Sequence, residues 1–252
     1  LPAYPLSEHS MMYLNERIDD LQRGGLRVIQ RADAFRFGTD AVLLADFAAP
    51  RRHDRVCDLG TGTGIIPLLL YARENTISAD AVEIQPDMAD MAARSMAMNG
   101  LNEKIRVLPG DLRSIRTLLP HARYDLVTCN PPYGKAGGTL LNPDASKRLA
   151  RHEESCAIED VACAAAWLLQ NGGRLCCVFP AARMIELSDA MRKYRMAPKR
   201  IRMVHSRVEK AAHLCLMEGM LDARPGLIIE PPLVIYDENN AYTPELRRIY
   251  GL

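Results

Sequence analysis

Short apolar runs alternate with longer amphipathic segments between residues 41 and 194 of the 252-residue chain. Runs of five or six mostly apolar residues predict buried strands, and the segments between them predict helices. The predicted strands are residues 55–59, 79–83, 104–108, 124–129 and 174–179. The predicted helices are residues 41–48, 65–71, 86–98, 112–119, 158–170 and 181–194. This alternation is typical of a mostly parallel sheet with helices on both faces.

Two stretches outside the alternation complete the predicted fold. Residues 200–205 and 211–218 are separated by a short turn, so they should pair antiparallel as a closing hairpin. The chain is therefore predicted to form an α/β fold: a doubly wound, Rossmann-like sheet of seven strands, mostly parallel, with an antiparallel hairpin at its edge. Near the start, residues 6–31 contain Gly24-Gly25 and predict a short helix and another hairpin.

Three carboxylates follow or end consecutive predicted strands. Asp58 precedes the turn formed by residues 60–64, Gly-Thr-Gly-Thr-Gly; Glu83 ends the next strand; and Asp111 follows the third. In open α/β sheets ligands bind at the carboxyl ends of the strands, where an acid about 20 residues after the glycines binds ribose hydroxyls. A carboxylate at Asp58 repels a pyrophosphate but can reach an ammonium group or a water, and Asp111 can accept from an adenine amine. Each acid alone also fits a solvated loop or a helix cap, but their alignment favours a ligand site.

The tetrapeptide Asn130-Pro131-Pro132-Tyr133 follows the predicted strand 124–129. The two prolines remove backbone donors, so the turn offers carbonyl groups without competing N–H groups. The Asn130 side-chain oxygen and the Pro131 carbonyl can together hold a planar NH2 group, while the Tyr133 ring stacks on the molecule that carries it. This arrangement suits the exocyclic amine of a base or a side-chain amide, whereas the simplest alternative is a proline-rich turn.

Composition restricts the class of protein. The formal net charge is +1 and 48% of the residues are hydrophobic, enough for a sizeable core. No apolar run approaches the ~20 residues of a membrane helix, and residues 1–5 lack the pattern of a secretory signal. Seven cysteines without a C-x-x-C pair argue against a zinc site and favour reduced thiols in a cytoplasmic protein. We therefore expect no metal and no membrane partner.

Positive charge is concentrated near the C-terminal third. Residues 183–210 carry nine Lys and Arg against three acids, a net charge of +6. We predict that this basic tract (residues 183–210) contacts RNA phosphates, with a solvated helix face and an outward-facing strand as the alternative. Residues 134–155 are long, polar and rich in Gly, Pro and Asn, which predicts either a lid over the site or a plain surface loop.

The order Asp-Leu-Gly-Thr-Gly-Thr-Gly, Ala-Val-Glu-Ile-Gln, Gly-Asp-Leu and Asn-Pro-Pro-Tyr resembles the class I S-adenosylmethionine-dependent methyltransferases over roughly residues 55–179. Residues 35–45, 151–153 and 241–245 further resemble the bacterial tRNA(Val) adenine-N6 methyltransferase family, whose members act beside the anticodon. The resemblance implies residues 51–252 as the methyltransferase domain with a C-terminal tail, and residues 1–50 as an extension packed on the cofactor edge.

The resemblance also implies roles for individual residues. S-adenosylmethionine is the expected cofactor, with Glu83 on its ribose, Asp111 on its adenine and the glycine turn beside its methionine part. The expected cofactor-binding residues are Thr39, Asp58, Gly60, Thr61, Gly62, Gly64, Glu83, Ile84, Asp111, Leu112 and Asn130. The expected catalytic residues are Asn130, Pro131 and Tyr133. The expected residues for an RNA substrate, tRNA in the first instance, are Pro132, Tyr133, Lys135, Arg148 and Arg151.

Three alternatives share these motifs. A protein glutamine methyltransferase places a side-chain amide in the same Asn-Pro-Pro-Tyr turn, but such enzymes usually carry a separate N-terminal helical bundle, and only about 50 residues precede the glycine turn here. A guanine-N2 methyltransferase of ribosomal RNA is a closer rival. A non-catalytic RNA-binding module with the same fold is the third, and intact Asn130, Asp58, Glu83 and Asp111 argue against it.

Overall fold

A computed structural model describes residues 13, 15–31, 38–132 and 158–252, which form two sheets flanked by helices. The small sheet is the antiparallel hairpin of β1 (Glu16–Asp20) and β2 (Arg27–Arg31). The main sheet contains β3 (Arg55–Leu59), β4 (Ser78–Glu83), β5 (Ile105–Pro109), β6 (Tyr124–Cys129), β7 (Leu169–Pro180), β8 (Met196–His205), β9 (Ala212–Leu221), β10 (Ile228–Ile229) and β11 (Leu233–Val234). The α-helices are α1 (Thr39–Ala48), α2 (Ile65–Arg73), α3 (Pro86–Met98), α4 (Ile115–Leu118), α5 (Ile158–Leu168), α6 (Met184–Lys193) and α7 (Pro244–Tyr250).

The strand order confirms the predicted doubly wound α/β class. The main sheet runs β10-β8-β9-β7-β6-β3-β4-β5, and β11 also pairs with β8. Strand β9 is antiparallel to both of its neighbours, β7 and β8, whereas the other pairings of this sheet are parallel. The carboxyl ends of β3, β4, β6 and β7 therefore lie along one edge of the sheet, which we name the site edge.

The predicted closing hairpin is confirmed as β8 and β9, with longer strands than expected. Seven strands of five or more residues form the main part of the sheet, and two strands of two residues, β10 and β11, extend it beyond β8. Residues 230–232, Glu-Pro-Pro, separate these two short strands. A strand of two residues beside prolines shows no alternation of apolar and polar residues, so the sequence did not predict β10 and β11. Of the segment 6–31, the hairpin is confirmed as β1 and β2, and the region where a short helix was expected lies mostly outside the described residues.

Some predicted helices are shorter in the structure. Residues 112–119 form a 3-10 turn, Leu112–Ser114, before the single-turn helix α4, and the Asp111 side chain caps the turn by accepting from the Arg113 N–H. Helix α5 ends at Leu168, and residues 169 and 170 already belong to β7. Residues 181–183 are likewise a 3-10 turn before α6. Polar caps and strand pairing determine these boundaries, and apolar periodicity does not encode them.

Two hydrophobic clusters cover the two faces of the main sheet. One contains apolar side chains of α1, α2 and α7, and the other those of α4, α5 and α6. Strand β3 contributes Val56 to the first cluster and Cys57 and Leu59 to the second, as alternation along a strand between two helical layers requires. Core side chains such as Leu59 and Cys129 continue to the carboxyl ends of the parallel strands, and the site lies in the loops that follow them.

The β1–β2 hairpin is attached to α3 by hydrogen bonds of Ser95 and of Asn99, which follows the last residue of the helix. The buried Ser95 hydroxyl accepts from the Ile29 N–H at 2.9 Å and donates to the Met91 carbonyl. One turn later, Asn99 accepts from the Arg27 N–H and donates to the Arg27 carbonyl. Because these side chains satisfy backbone groups of β2, they fix the position of β2 relative to α3.

Two arginines hold the C-terminal end of α1. Arg174 donates to the Ala48 carbonyl at 3.0 Å, Arg200 donates to the Phe47 carbonyl at 2.6 Å, and both arginines contact the Glu218 carboxylate. Cations at this position satisfy the last carbonyls of the helix and its negative end. Since the first residues of α1 lie at the site, this cluster also helps to position the site.

The described residues contain neither a membrane-spanning helix nor a metal-binding cluster. Within these ranges no helix has the length and apolarity needed to cross a bilayer. Nor does this part of the chain contain a group of three or more His, Cys, Asp or Glu side chains arranged to hold a metal ion.

Candidate active site

The glycine turn lies between β3 and α2 and is tied to the neighbouring strand. Gly60, Gly62 and Gly64 have φ angles of 69°, 57° and 83°, the left-handed region in which a side chain is disfavoured. The N–H groups of Gly60 and Thr61 both donate to the Val82 carbonyl, at 2.9 and 3.0 Å. The end of β4 thus fixes the first half of the turn.

Glu83, the last residue of β4, is 4% exposed and is held from two sides. Its Oε2 accepts from the Gly62 N–H at 2.8 Å, and its Oε1 accepts from the Gln85 N–H at 2.9 Å. Each carboxylate oxygen has a further lone pair. The carboxylate is therefore fixed in one orientation and keeps the capacity to accept two more hydrogen bonds, as a pair of ribose hydroxyls would donate.

Asp58 is fully buried near the end of β3. The Thr128 hydroxyl of β6 donates to its Oδ1 at 2.6 Å. Among the described residues, the buried atoms Asp58 Oδ2 and Thr61 Oγ1 have no hydrogen-bond partner. Burial raises the pKa of Asp58 to about 7, and the Thr128 hydrogen bond and the nearby Thr61 hydroxyl oppose that rise. A buried acid with a spare oxygen beside a spare hydroxyl fits a site that takes a polar ligand.

The structure gives Asp111 a partner that the sequence did not indicate. Arg113, two residues later, donates to both carboxylate oxygens through its side chain and to Oδ1 through its backbone N–H. These hydrogen bonds lower the pKa of Asp111. Nearby, Ile84 is 44% exposed and Leu112 is partly buried, so two apolar side chains lie at the ends of β4 and β5.

Asn130 is brought next to the glycine turn by strand pairing. Leu59 of β3 is in register with Cys129 of β6, so Gly60 and Asn130 continue from adjacent strands at the same level. Pro131 is buried and Pro132 is exposed. Tyr133, Lys135, Arg148 and Arg151, together with the predicted lid 134–155, lie outside the described residues.

A cavity of about 250 Å³ at this edge collects part of the predicted site. Of the predicted residues, it is lined by Gly60, Thr61, Gly62 and Asn130. Thr39 is not among the lining residues; its hydroxyl lies 3.1 Å from the Tyr250 hydroxyl, which donates to it. The lining residues that the sequence reasoning did not include are Gln30, Arg31, Gly38, Ala41, Thr63, Ile65, Ile66 and Met88.

Most of these additional residues had a usable signal. Gly38 and Ala41 fall within the segment 35–45, which was quoted for its resemblance, and Ile65 and Ile66 begin the helix after the glycines. Gln30 and Arg31 had none, because a polar pair at the end of an N-terminal hairpin reads as solvent-exposed. Only the docking of β2 on α3 places them at the site.

The basic tract 183–210 is largely neutralised within the protein. Five of its nine cations form ion pairs with six carboxylates, five of which lie outside the tract. The pairs are Arg183–Glu186, Lys193–Glu159, Arg195–Asp222, Arg200–Glu218, Arg200–Glu230 and Arg202–Glu245. The net charge of the tract therefore overstates the positive charge that it presents to a polyanion, and contact with RNA here stays a prediction.

Comparison with known proteins agrees with the fold. The model of the methyltransferase small domain matches residues 32–200. A protein of Porphyromonas gingivalis is 32% identical over 231 residues, covering 87% of this chain and 89% of its own. A protein of Tolumonas auensis is 34% identical over 216 residues, covering 84% and 86%. Both relatives are named tRNA1(Val) (adenine(37)-N6)-methyltransferase.

Solved structures share the architecture. A predicted O-methyltransferase from Agrobacterium tumefaciens superposes with a TM-score of 0.70 at 24% identity, covering 84% of this chain and 96% of that one. TrmN from Thermus thermophilus gives a TM-score of 0.53 at 24% identity, covering 72% and 48%. The fold is that of a Rossmann-like methyltransferase, an enzyme class. The chain belongs to the methyltransferase small domain family.

Proposed function

We propose that this protein is an S-adenosylmethionine-dependent N-methyltransferase that methylates the exocyclic amine of an adenine beside the anticodon of a tRNA. The observation that carries the proposal is that Asn130 and the glycine turn line the same cavity. The Asn130 side chain, which can bind a planar NH2 group, thus lies in the same cavity as the glycine turn, which can bind a nucleoside-linked amino acid. The names of the P. gingivalis and T. auensis relatives support adenine and tRNA as the specific substrate.

The residues present fit this cofactor. The buried Thr61 hydroxyl lines the cavity, where a polar ligand can reach it, whereas the Asp58 carboxylate is fully buried beneath the turn and outside the lining. Glu83 has two spare lone pairs for the ribose hydroxyls, and Ile84 and Leu112 provide apolar surface for adenine. Asp111 is proposed to accept from the adenine amine, which requires it to share its oxygens with Arg113.

The chemistry at the amine is assigned to Asn130 and Pro131. The cofactor supplies an electrophilic methyl group on a sulfonium sulfur. The Asn130 side-chain oxygen and the Pro131 carbonyl accept the two N–H bonds of the amine, which draws its lone pair out of conjugation with the ring. Most of the rate comes from this orientation and from fixed dipoles. No base is needed beforehand, because the methylated amine is acidic and loses its proton to solvent afterwards.

The RNA contacts are proposed from residue type. The target adenine must be unstacked to enter the cavity, and in an anticodon loop this costs little. Tyr133 serves as its stacking platform beside Pro132, and Lys135, Arg148 and Arg151 contact phosphates. These contacts are sequence-independent, so they provide affinity, and the Asn130 turn selects the amine.

Substitution of Asn130 tests this mechanism. Asn130→Ala removes one acceptor of the amine, and we expect turnover on tRNA to fall by about 100-fold or more, while the affinity for S-adenosylhomocysteine changes by less than ~3-fold, a difference under about 1 kcal/mol. The matched control is Asn102→Ala, an exposed asparagine in the turn before β5, which should leave both quantities unchanged. An Asn130→Ala variant that keeps most of its turnover would contradict the mechanism.

A further inference from the structure

We propose that Arg31 binds the carboxylate at the amino-acid end of the cofactor, an inference that rests on the function proposed above. Arg31 lines the cavity together with the glycine turn. It is the single charged residue among the described residues that line this cavity. S-adenosylmethionine has one anionic group, the carboxylate of its methionine part, and a guanidinium fork binds a carboxylate with two parallel hydrogen bonds.

The place of Arg31 is fixed before any ligand arrives. Arg31 is the last residue of β2 and pairs with Glu16 of β1. Just before it, Gln30 is 5% exposed and Ile29 is fully buried, with its N–H held by Ser95 of α3. Arg94, also on α3, donates two hydrogen bonds to the Glu16 carboxylate, at 2.7 and 2.6 Å. An arginine on a strand that is anchored at several points loses less freedom on binding a ligand.

The surroundings of the cavity complement an anion as well. Helices α1 and α2, of ten and nine residues, both begin at this cavity, and neither N-cap, Gly38 or Gly64, makes a side-chain capping hydrogen bond. The first turn of α2 contains no acid, so the positive end of this helix favours an anion at the cavity, whereas α1 has Asp40 in its first turn. Thr61, 3% exposed, adds a buried hydroxyl to the lining of the same cavity.

A pair of ligands separates this role from a general effect on the fold. S-adenosylhomocysteine carries the amino-acid end, whereas 5′-methylthioadenosine has the same nucleoside and thioether without it. Calorimetric titration of the full chain with both ligands gives four affinities for wild type and Arg31→Ala. We expect Arg31→Ala to weaken the affinity for S-adenosylhomocysteine by about 10- to 100-fold, as the loss of a charged hydrogen-bonded pair does. The affinity for 5′-methylthioadenosine should change by less than about 2-fold.

Two further variants sharpen the result. Arg31→Lys keeps the charge but not the fork, so it should recover part of the lost affinity for S-adenosylhomocysteine. Arg27→Ala lies on the same strand four residues earlier and outside the cavity lining, so it should leave the ratio of the two affinities at the wild-type value.

The remaining outcomes overturn the inference in distinguishable ways. Equal weakening of both ligands by Arg31→Ala would assign Arg31 to the structure of the hairpin instead of the carboxylate. Unchanged affinity for S-adenosylhomocysteine would remove Arg31 from the site altogether. If wild-type protein binds neither ligand, the proposed function itself is contradicted, and the Arg31 inference with it.

Discussion

The Glu83 carboxylate accepts a hydrogen bond from the backbone N–H of Gly62, with 2.8 Å between Oε2 and N. The bond joins the carboxyl end of β4 to the middle of the glycine turn. Because Val82, the preceding residue, also accepts from the first two N–H groups of that turn, the acid and the turn form one unit. A ligand that contacts both meets a surface whose two parts are already fixed relative to each other, which lowers the cost of binding.

Glu83→Gln should therefore affect both cofactor affinity and stability. Glutamine keeps one acceptor oxygen but sets an NH2 group against one of the two N–H donors, Gly62 or Gln85. We expect about 10-fold or greater loss of S-adenosylhomocysteine affinity and a loss of about 1–2 kcal/mol in the free energy of unfolding. Titration calorimetry and urea unfolding measure the two, with the exposed Glu103→Gln as the control that changes neither.

Asp58→Asn should change stability in a pH-dependent way. Burial raises the pKa of Asp58 to about 7 in the folded state, against about 3.9 in an unfolded chain. Between these values the folded protein holds a proton that the unfolded chain has lost, so wild-type stability falls as the pH rises through this window. Asparagine has no such dependence, so the variant should gain about 1–3 kcal/mol relative to wild type between pH 5 and pH 8.

Urea unfolding of the cofactor-free proteins at the two pH values measures this difference. Asp189→Asn, on the exposed face of α6, is the control. Its free energy of unfolding should differ from that of wild type by the same small amount at both pH values. A stability difference for Asp58→Asn that does not vary with pH would mean that the folded state does not hold the extra proton.

Gly64→Ala should destabilise the protein more than a glycine substitution at a hairpin tip. Gly64 has φ 83°, and an added Cβ would lie 2.5 Å from the Met96 Cε and 3.2 Å from the Ala92 Cβ of α3. We expect a loss of about 2–4 kcal/mol from backbone strain and overpacking together. Gly24 has φ 59°, and a Cβ added there would have no atom within 4 Å. Gly24→Ala therefore measures the backbone strain alone, and it should reduce the free energy of unfolding by about 1–2 kcal/mol. Equal losses at the two positions would show that α3 yields to the extra methyl group.

Ser95→Ala should loosen the hairpin that carries Arg31. The substitution leaves the Ile29 N–H buried without its acceptor, at a cost of about 1–3 kcal/mol. If Arg31 binds the cofactor carboxylate, the variant should also lose more affinity for S-adenosylhomocysteine than for 5′-methylthioadenosine. Ser114→Ala, an exposed serine before α4, should leave both affinities unchanged. A destabilised Ser95→Ala variant with both affinities intact would disconnect the hairpin from ligand binding.

The parallel part of the fold was predictable because its signals are local. The buried strands between residues 55 and 129 are short, mostly apolar runs, and a local start signal such as Pro86 marks the beginning of α3. The positions of Gly60 and Asn130 at one edge follow from strand direction alone, since parallel neighbours end on the same side.

Tertiary partners determined what the sequence reasoning missed. The ion pairs of the basic tract join residues far apart in sequence, for example Arg202 with Glu245, so composition could not reveal them. Arg113 lies two residues after Asp111 and donates to its carboxylate. The sequence alone does not show whether Asp111 binds this arginine or a ligand. Ser95 of α3 and Asn99 at its C-terminal end hold β2 and so help to place Arg31 at the cavity, through contacts between residues far apart in sequence.

Transfer of a labelled methyl group to tRNA is the activity that defines the proposed enzyme. Purified protein is incubated with labelled S-adenosylmethionine and total tRNA from a strain that lacks this protein, and the nucleosides are identified by mass spectrometry. We expect label in N6-methyladenosine, in a tRNA fragment that contains the anticodon loop, and label lower by about 100-fold or more with Asn130→Ala. Label in ribosomal RNA or in protein glutamine instead, or bound cofactor without transfer to any of the three substrates, would contradict it.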